Sequence, residues 1–265
     1  MSEKETVPLS KELSFALSIA RQAGDVALEY YRRGIDAVMK SDNTPVTAAD
    51  RQCERLIREA IAREFPDDDI LGEEEGETKR SLTATAARKW IIDPIDGTYN
   101  YARQVPIFST LLALEVHGQI VAGVVHAPAM GDTFWAEKGC GAYKNGRRIF
   151  VSDIDDIERS QFVFGAPIRI LEEGFWGGLE RIVRVTYRQR AFGDYLNFGQ
   201  VFEGKAEAVL EIGVKPWDLA PMKVIAEEAG GRYADLQGGS SVYTGSCLVS
   251  NGILHEQFLK LLGTH

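Results

Sequence analysis

Asp93 and Asp96 flank a proline in the run Trp90-Ile91-Ile92-Asp93-Pro94-Ile95-Asp96-Gly97-Thr98, and their type and spacing suit a divalent-metal site beside a phosphate pocket. Trp90, Ile91 and Ile92 read as a short buried strand, and Pro94 has no N–H to continue a ladder, so the strand is expected to stop at Asp93. Both carboxylates then reach one cluster of hard cations from a Pro-led turn, with the Ile95 carbonyl a candidate third oxygen. If Gly97 and Thr98 open a helix, their N–H groups face an anion. The competing reading is a loop in which Asp caps its own backbone and Gly97 supplies an unusual φ.

Three more acidic segments bear on that choice. Ile70-Leu71-Gly72-Glu73-Glu74-Glu75 steps from an apolar strand into carboxylates, a pattern that otherwise marks a solvated face. Lys215-Pro216-Trp217-Asp218 leads into apolar residues at helical spacing closed by Gly230-Gly231, so Asp218 lies in the first turn of a helix, where an acid is ordinary capping chemistry. Thr44-Pro45-Val46-Thr47 precedes Asp50, and Thr47 with an acid three residues on has the form of a capping box.

Together, from about Lys40 to about Asn251, the words T-P-V-T-x-x-D, G-E-E, W-I-x-D-P-I-D-G-T-x-N-(Y/F) and W-D-x-A followed by E-A-G-G resemble the inositol-monophosphatase family of magnesium-dependent phosphatases. The resemblance implies that Glu73, Asp93 and the Ile95 carbonyl hold a first Mg²⁺, that Asp93, Asp96 and Asp218 hold a second, and that a third, weaker ion sits near Glu73 through water. It implies that Thr98 and Asp50 orient the attacking water and accept its proton, with Glu73 a further candidate for the base, and that Gly97 and Thr98 contact the substrate. It also implies an α/β (α+β) fold of the layered αβαβα sugar-phosphatase type and a homodimer. The chemistry agrees: a phosphate monoester is a dianion that repels hydroxide, so its oxygens must be neutralised, water activated and the leaving alkoxide stabilised.

The leaving alcohol is read from a departure. Where the inositol-specific branch has small neutral residues after a glycine, this chain has Arg190-Ala191-Phe192-Gly193-Asp194-Tyr195-Leu196, and Glu211 falls where the family places a substrate-facing acid. Two acids favour a cationic alcohol, because an ammonium gains charge-assisted hydrogen bonds. Together with Val105-Pro106 and Ser250-Asn251-Gly252, these words resemble the histidinol-phosphate phosphatases of the superfamily. The substrate-binding set is thus Gly97, Thr98, Arg190, Asp194, Glu211 and Asp218. Alternatives stay open: Asp194 caps a helix starting near Tyr195, and Arg190 pairs with a surface acid. At the level of function, the alternatives are an inositol-1-monophosphatase or broad sugar-phosphate phosphatase, and a family member that mainly binds a protein or RNA.

The elements needed to position these groups can be read coarsely. Leu13, Leu17, Ala20, Ala23, Ala27 and Tyr30 recur at helical spacing with Gly34 as a stop, and a second helix runs from about Ala48 to Phe65 before Pro66. Strands are expected at Phe108 to Val116, Ile120 to His126 and Thr133 to Glu137, with a hairpin turn at Asn145-Gly146. Helices and strands alternate beyond Val151, so an N-terminal part, 1–150, carries most metal ligands and a C-terminal part, 151–265, carries Asp218 and the substrate pocket, in one unit with a soft boundary.

Composition sets the outer bounds. With 45% hydrophobic and 26% charged residues, the chain is ordinary for a globular protein. A net charge of -9 disfavours nucleic acid and makes bound metal more necessary for a phosphate substrate. Cys53, Cys140 and Cys247 lack metal-ligand spacing and fit reduced thiols of the cytoplasm, and His117, His126, His255 and His265 form no motif. No signal core or membrane span is legible.

Overall fold

A computed structural model describes residues 9–34, 38–39, 45–46, 48–80 and 87–263. Thr44, Thr47 and His265, and hence the expected capping box, lie outside the described residues. The backbone at Pro45–Val46 pairs antiparallel with Val38–Met39.

The larger sheet has eight strands in the order Arg147–Ile149, Gly141–Lys144, Asp132–Glu137, Gln119–Ala127, Ser109–Val116, Arg88–Asp96, Asp69–Gly72 and Gly76–Thr78. A five-stranded sheet follows in the order Arg188–Arg190, Gln161–Phe164, Ala208–Ile212, Ser246–Ser250 and Arg232–Ala234. The period-2 alternation of side chains sorts their apolar residues into three cores. Trp90, Ile92, Leu112, Leu114 and Val124 face helices Lys11–Arg33 and Ala48–Glu64. Ile91, Leu111, Ala113 and Val125 face the other way, onto helices Asp194–Phe202 and Pro216–Glu228. Val163, Val209 and Val249 of the second sheet close that middle core from its far side. Phe162, Leu210 and Leu248 point outward to helices Trp176–Val185 and His255–Leu262. The layers therefore run αβαβα, as the motifs implied.

The hairpin turns form for physical reasons. His117 and Gly118 have φ of 50° and 76°, and Asn145 and Gly146 have φ of 50° and 77°, the paired positive values that a tight hairpin turn needs. One expectation fails: the metal-turn strand does not stop at Asp93 but runs to Asp96. Regular pairing ends at Asp93 opposite Leu111, slips, and resumes at Asp96 opposite Ser109. The sheet accommodates Pro94 at this irregularity, where Thr110 Oγ1 donates to the Pro94 carbonyl at 3.0 Å and no ladder N–H is required.

Candidate active site

The slip at Pro94 brings Asp93 and Asp96 to the same end of the sheet. A β-carbon on Gly123 would lie 2.8 Å from Pro221 Cα and 2.7 Å from Val224 Cγ1, so helix Pro216–Glu228 packs directly on the sheet backbone and delivers Asp218 beside them. Among the described residues, Asp93, Asp96 and Asp218 each offer a ligand atom within 4.8 Å of the others. Glu73, at the turn following strand Asp69–Gly72, lines the same cavity of about 570 Å³, as do Ile95, Gly97, Thr98, Asp194 and Glu211.

These acids repel one another. Burial, then repulsion from Glu73, Asp218, Asp96 and Asp50, hold the Asp93 carboxyl well above the usual range. Burial, then repulsion from Asp194 and Asp218, do the same for Asp96 although the Tyr195 N–H and Ser109 hydroxyl oppose it. Burial raises Asp218 to about 7. Asp93 Oδ1 has no hydrogen-bond partner despite being buried, which is costly for a carboxylate oxygen unless a cation takes it. The donor set is all oxygen, the preference of hard divalent cations, so the residues fit such an ion. Asp218 also accepts the Lys215 N–H at 2.7 Å, so one side chain both caps its helix and lines the cavity.

Thr98 opens a short helix, Thr98–Ala102, after Gly97 in the left-handed region at φ 82°. Its hydroxyl lies 3.0 Å from the Ile95 carbonyl and 3.4 Å from Asp50 Oδ1. Asp50 is buried behind Thr98 and is not part of the cavity wall. Asp194 does not cap the following helix. It occupies the first helical position with φ 48°, and its carboxylate accepts from Asn100 Nδ2 at 2.5 Å. The helix N-terminus is served by Asp96, whose Oδ2 accepts the Tyr195 N–H at 2.9 Å. Burial raises Asp194 to about 6 and Glu211 to about 8. Arg190 stands apart: it is exposed on an edge strand, its guanidinium donates to the Gln189 carbonyl, and it does not line the cavity. Among the described residues, the cation that does line it is Arg169, whose stem packs over Gly213.

Several supporting groups were not anticipated. Glu54, fully buried, accepts the N–H groups of Glu74 and Glu75 at 2.7 and 3.1 Å and pairs with Arg58 at 2.7 Å, thereby fixing the turn that presents Glu73. Its signal is visible in retrospect, since Glu54 and Arg58 are four apart on a helix and each lies three residues before an inward isoleucine, Ile57 or Ile61. Asn197 is a polar residue among Phe198, Val201 and Phe202 on a buried helix face, a second such signal. Asn100 stands in the D-G-T-x-N word without an assigned role there.

A carboxylate cluster of this kind, at the end of an interior strand of an αβαβα sandwich and opening into a cavity, could hold a metal ion and suits the hydrolysis of phosphate esters. The chain belongs to the inositol monophosphatase family, whose model matches residues 9–265, and it is a phosphatase, a phosphoric monoester hydrolase. It is 37% identical to a histidinol-phosphatase from Chlorobaculum parvum over 96% of this chain and 98% of that one. A histidinol-phosphatase from Mycobacterium tuberculosis is 34% identical, over 95% and 97% respectively. The structure of an IMPase from Thermotoga maritima superposes with a TM-score of 0.84 at 32% identity, covering 96% of this chain and 97% of that one. Enzymes of the family are metal-dependent and act on small phosphorylated substrates. No described helix is long and apolar enough to cross a membrane.

Proposed function

We propose that this phosphatase is Mg²⁺-dependent and hydrolyses histidinol phosphate to histidinol and phosphate. The observation that carries the reading is the pair of acids, Asp194 and Glu211, in the wall of the cavity that also contains Asp93, Asp96 and Asp218. A β-carbon on Gly97 would lie 2.9 Å from Asp194 Oδ2, so Asp194 sits directly over the phosphate turn, where the ammonium of a bound amino alcohol meets it. The names of the two histidinol-phosphatases support the same substrate.

Glu73, Asp93, the Ile95 carbonyl, Asp96 and Asp218 would hold two Mg²⁺, and a third would lie near Glu73. When bound, the metal neutralises the phosphoryl oxygens, acidifies water and stabilises the leaving alkoxide. The chain's own groups do the rest. The first N–H groups of the helix at Thr98 lack intrahelical partners and meet a phosphoryl oxygen. As water attacks, its proton passes to Thr98 Oγ1 while the Thr98 hydroxyl proton passes to Asp50. Asp194 and Glu211 orient the alcohol through charge-assisted hydrogen bonds. Two buried, unpaired thiols, Cys53 and Cys247, suit the reducing cytoplasm.

Phosphate release from histidinol phosphate and from inositol 1-phosphate, each with Mg²⁺ and with EDTA, tests the reading. The expected result is a preference of at least about 100-fold in kcat/KM for histidinol phosphate, from two charge-assisted contacts of about 1.5 kcal/mol or more each. Equal rates, or faster inositol phosphate hydrolysis, would overturn it in favour of a broad sugar-phosphate phosphatase.

A further inference from the structure

We infer that Asn197 is a positioning residue for leaving-group recognition, holding Glu211 and the turn that carries Asp194 in one fixed arrangement. The inference rests on the reading that the alcohol contacts these two acids.

Asn197 has 0% exposure, and its amide is fully used. Oδ1 accepts the N–H groups of Phe192 and Gly193 at 2.9 and 3.1 Å. Nδ2 donates to Glu211 Oε1 at 2.8 Å and to the Phe164 carbonyl at 3.3 Å. An asparagine amide offers two donors and two acceptor sites, and all four are occupied. The orientation is fixed by its surroundings, because a flipped amide would set its NH₂ against two N–H donors.

Those four bonds join three walls of the cavity. The Phe164 carbonyl ends one strand just before Gly165, and a β-carbon at Gly165 would lie 1.7 Å from Glu211 Oε2, so the Glu211 carboxylate rests on bare backbone there. Asn197 meets that carboxylate from a second direction. The third wall is the turn at Gly193 and Asp194, with φ of 98° and 48°. A positive φ is uncommon for Asp and persists only where neighbours enforce it. The two N–H groups held by Asn197 lie immediately before Asp194, and Asn100 holds its carboxylate.

Simple capping of the helix would need only the Oδ1 side. The Nδ2 bond to Glu211, on a strand 14 residues away, has no part in helix capping and gives the residue a role that can be separated by experiment. Asn197→Asp keeps the acceptor for Phe192 and Gly193 but removes the donor to Glu211 and faces it with an acceptor.

The test uses steady-state kinetics with Mg²⁺ on two substrates: p-nitrophenyl phosphate, whose leaving group carries neither ammonium nor polyol, and whichever of histidinol phosphate and inositol 1-phosphate the wild type turns over better. Asn197→Asp is expected to raise KM for the alcohol phosphate at least tenfold with kcat within threefold, and to leave kcat/KM for p-nitrophenyl phosphate within threefold. Equal losses on both substrates, or an unchanged KM, would overturn the inference and leave Asn197 a structural residue. If Asn197→Asp does not fold, the double variant Asn197→Asp, Glu211→Gln carries the test, because it restores the hydrogen bond with donor and acceptor exchanged. Its KM for the alcohol phosphate should lie within threefold of that of Glu211→Gln alone, in which Asn197 keeps its bond to residue 211, and a tenfold rise over that single variant would overturn the inference. A wild-type preference for inositol 1-phosphate would refute the histidinol reading alone, since the comparison between variant and wild type is then made on that substrate.

Discussion

Gly165→Ala isolates Glu211, the acid proposed to meet the leaving alcohol, without altering Asp93, Asp96 or Asp218. Gly165 has an ordinary backbone conformation, so alanine brings no φ penalty, yet its β-carbon would lie 1.7 Å from Glu211 Oε2, 2.4 Å from Cδ and 2.7 Å from Oε1. Ordinary contact begins at about 3.4 Å, so the carboxylate must move by roughly 1.5 to 2 Å. Its 2.8 Å bond from Asn197 cannot survive a displacement of that size. The displaced carboxylate also loses its charge-assisted contact with the alcohol, worth about 1.5 to 3 kcal/mol, and each 1.4 kcal/mol is tenfold. The expected loss is therefore about 10- to 150-fold in kcat/KM for an alcohol that contacts Glu211. The assay is run at pH 8.5, above the value of about 8 to which burial raises Glu211, so the carboxylate is ionised. Histidinol phosphate and p-nitrophenyl phosphate are compared with saturating Mg²⁺, and thermal unfolding is recorded in parallel. A folded Gly165→Ala enzyme with unchanged preference between the two substrates would refute the placement of the alcohol against Glu211.

Two other perturbations address the metal site. Glu54→Gln removes the charge that pairs with buried Arg58 and holds the Glu74 and Glu75 N–H groups. It should cost up to about 3 to 5 kcal/mol of stability and raise the Mg²⁺ concentration for half-maximal activity about 10- to 100-fold, with kcat recovered at saturation. An unchanged Mg²⁺ requirement by calorimetric titration would show that the Glu73 turn holds itself. The second perturbation is pH. Burial raises Asp218 to about 7 and Glu211 to about 8, whereas the unfolded chain releases these protons near pH 4. Between about pH 4 and 8 the folded protein thus binds more protons than the unfolded one, and stability falls as pH rises. Metal-free protein is expected to melt lower at pH 8 than at pH 5.5, and Mg²⁺ to raise Tm more at pH 8, where fewer protons must be displaced. A metal-free Tm that climbs from pH 5.5 to 8 in scanning calorimetry would contradict the repulsive cluster.

The sequence announced the charges of this site far better than the groups that hold them. Asp93, Asp96, Asp218 and Glu73 are legible because acids beside apolar runs, glycine and proline break local patterns, and local patterns are what a sequence displays. Their partners come from distant chain: Tyr195 offers its N–H to Asp96 across 99 positions, and Asn100 reaches Asp194 across 94. Nothing local in either segment marks such a pairing. The same asymmetry explains the misplaced strand end and the alternative for Asp194 that fails. Pro94 does forbid a ladder hydrogen bond, but a slip in register lets the strand pass it, and only the neighbouring strand reveals that Thr110 serves the Pro94 carbonyl. Asp194 has the type and position of a helix cap, but Asp96 already fills that place. With the cap taken, the Asp194 carboxylate is released toward the cavity, and a residue that single-sequence rules assign to helix chemistry becomes available to bind an ammonium. Asp96 of the carboxylate cluster and the turn that presents Asp194 are thereby tied through one backbone N–H, so altering Asp96 is expected to disturb that turn.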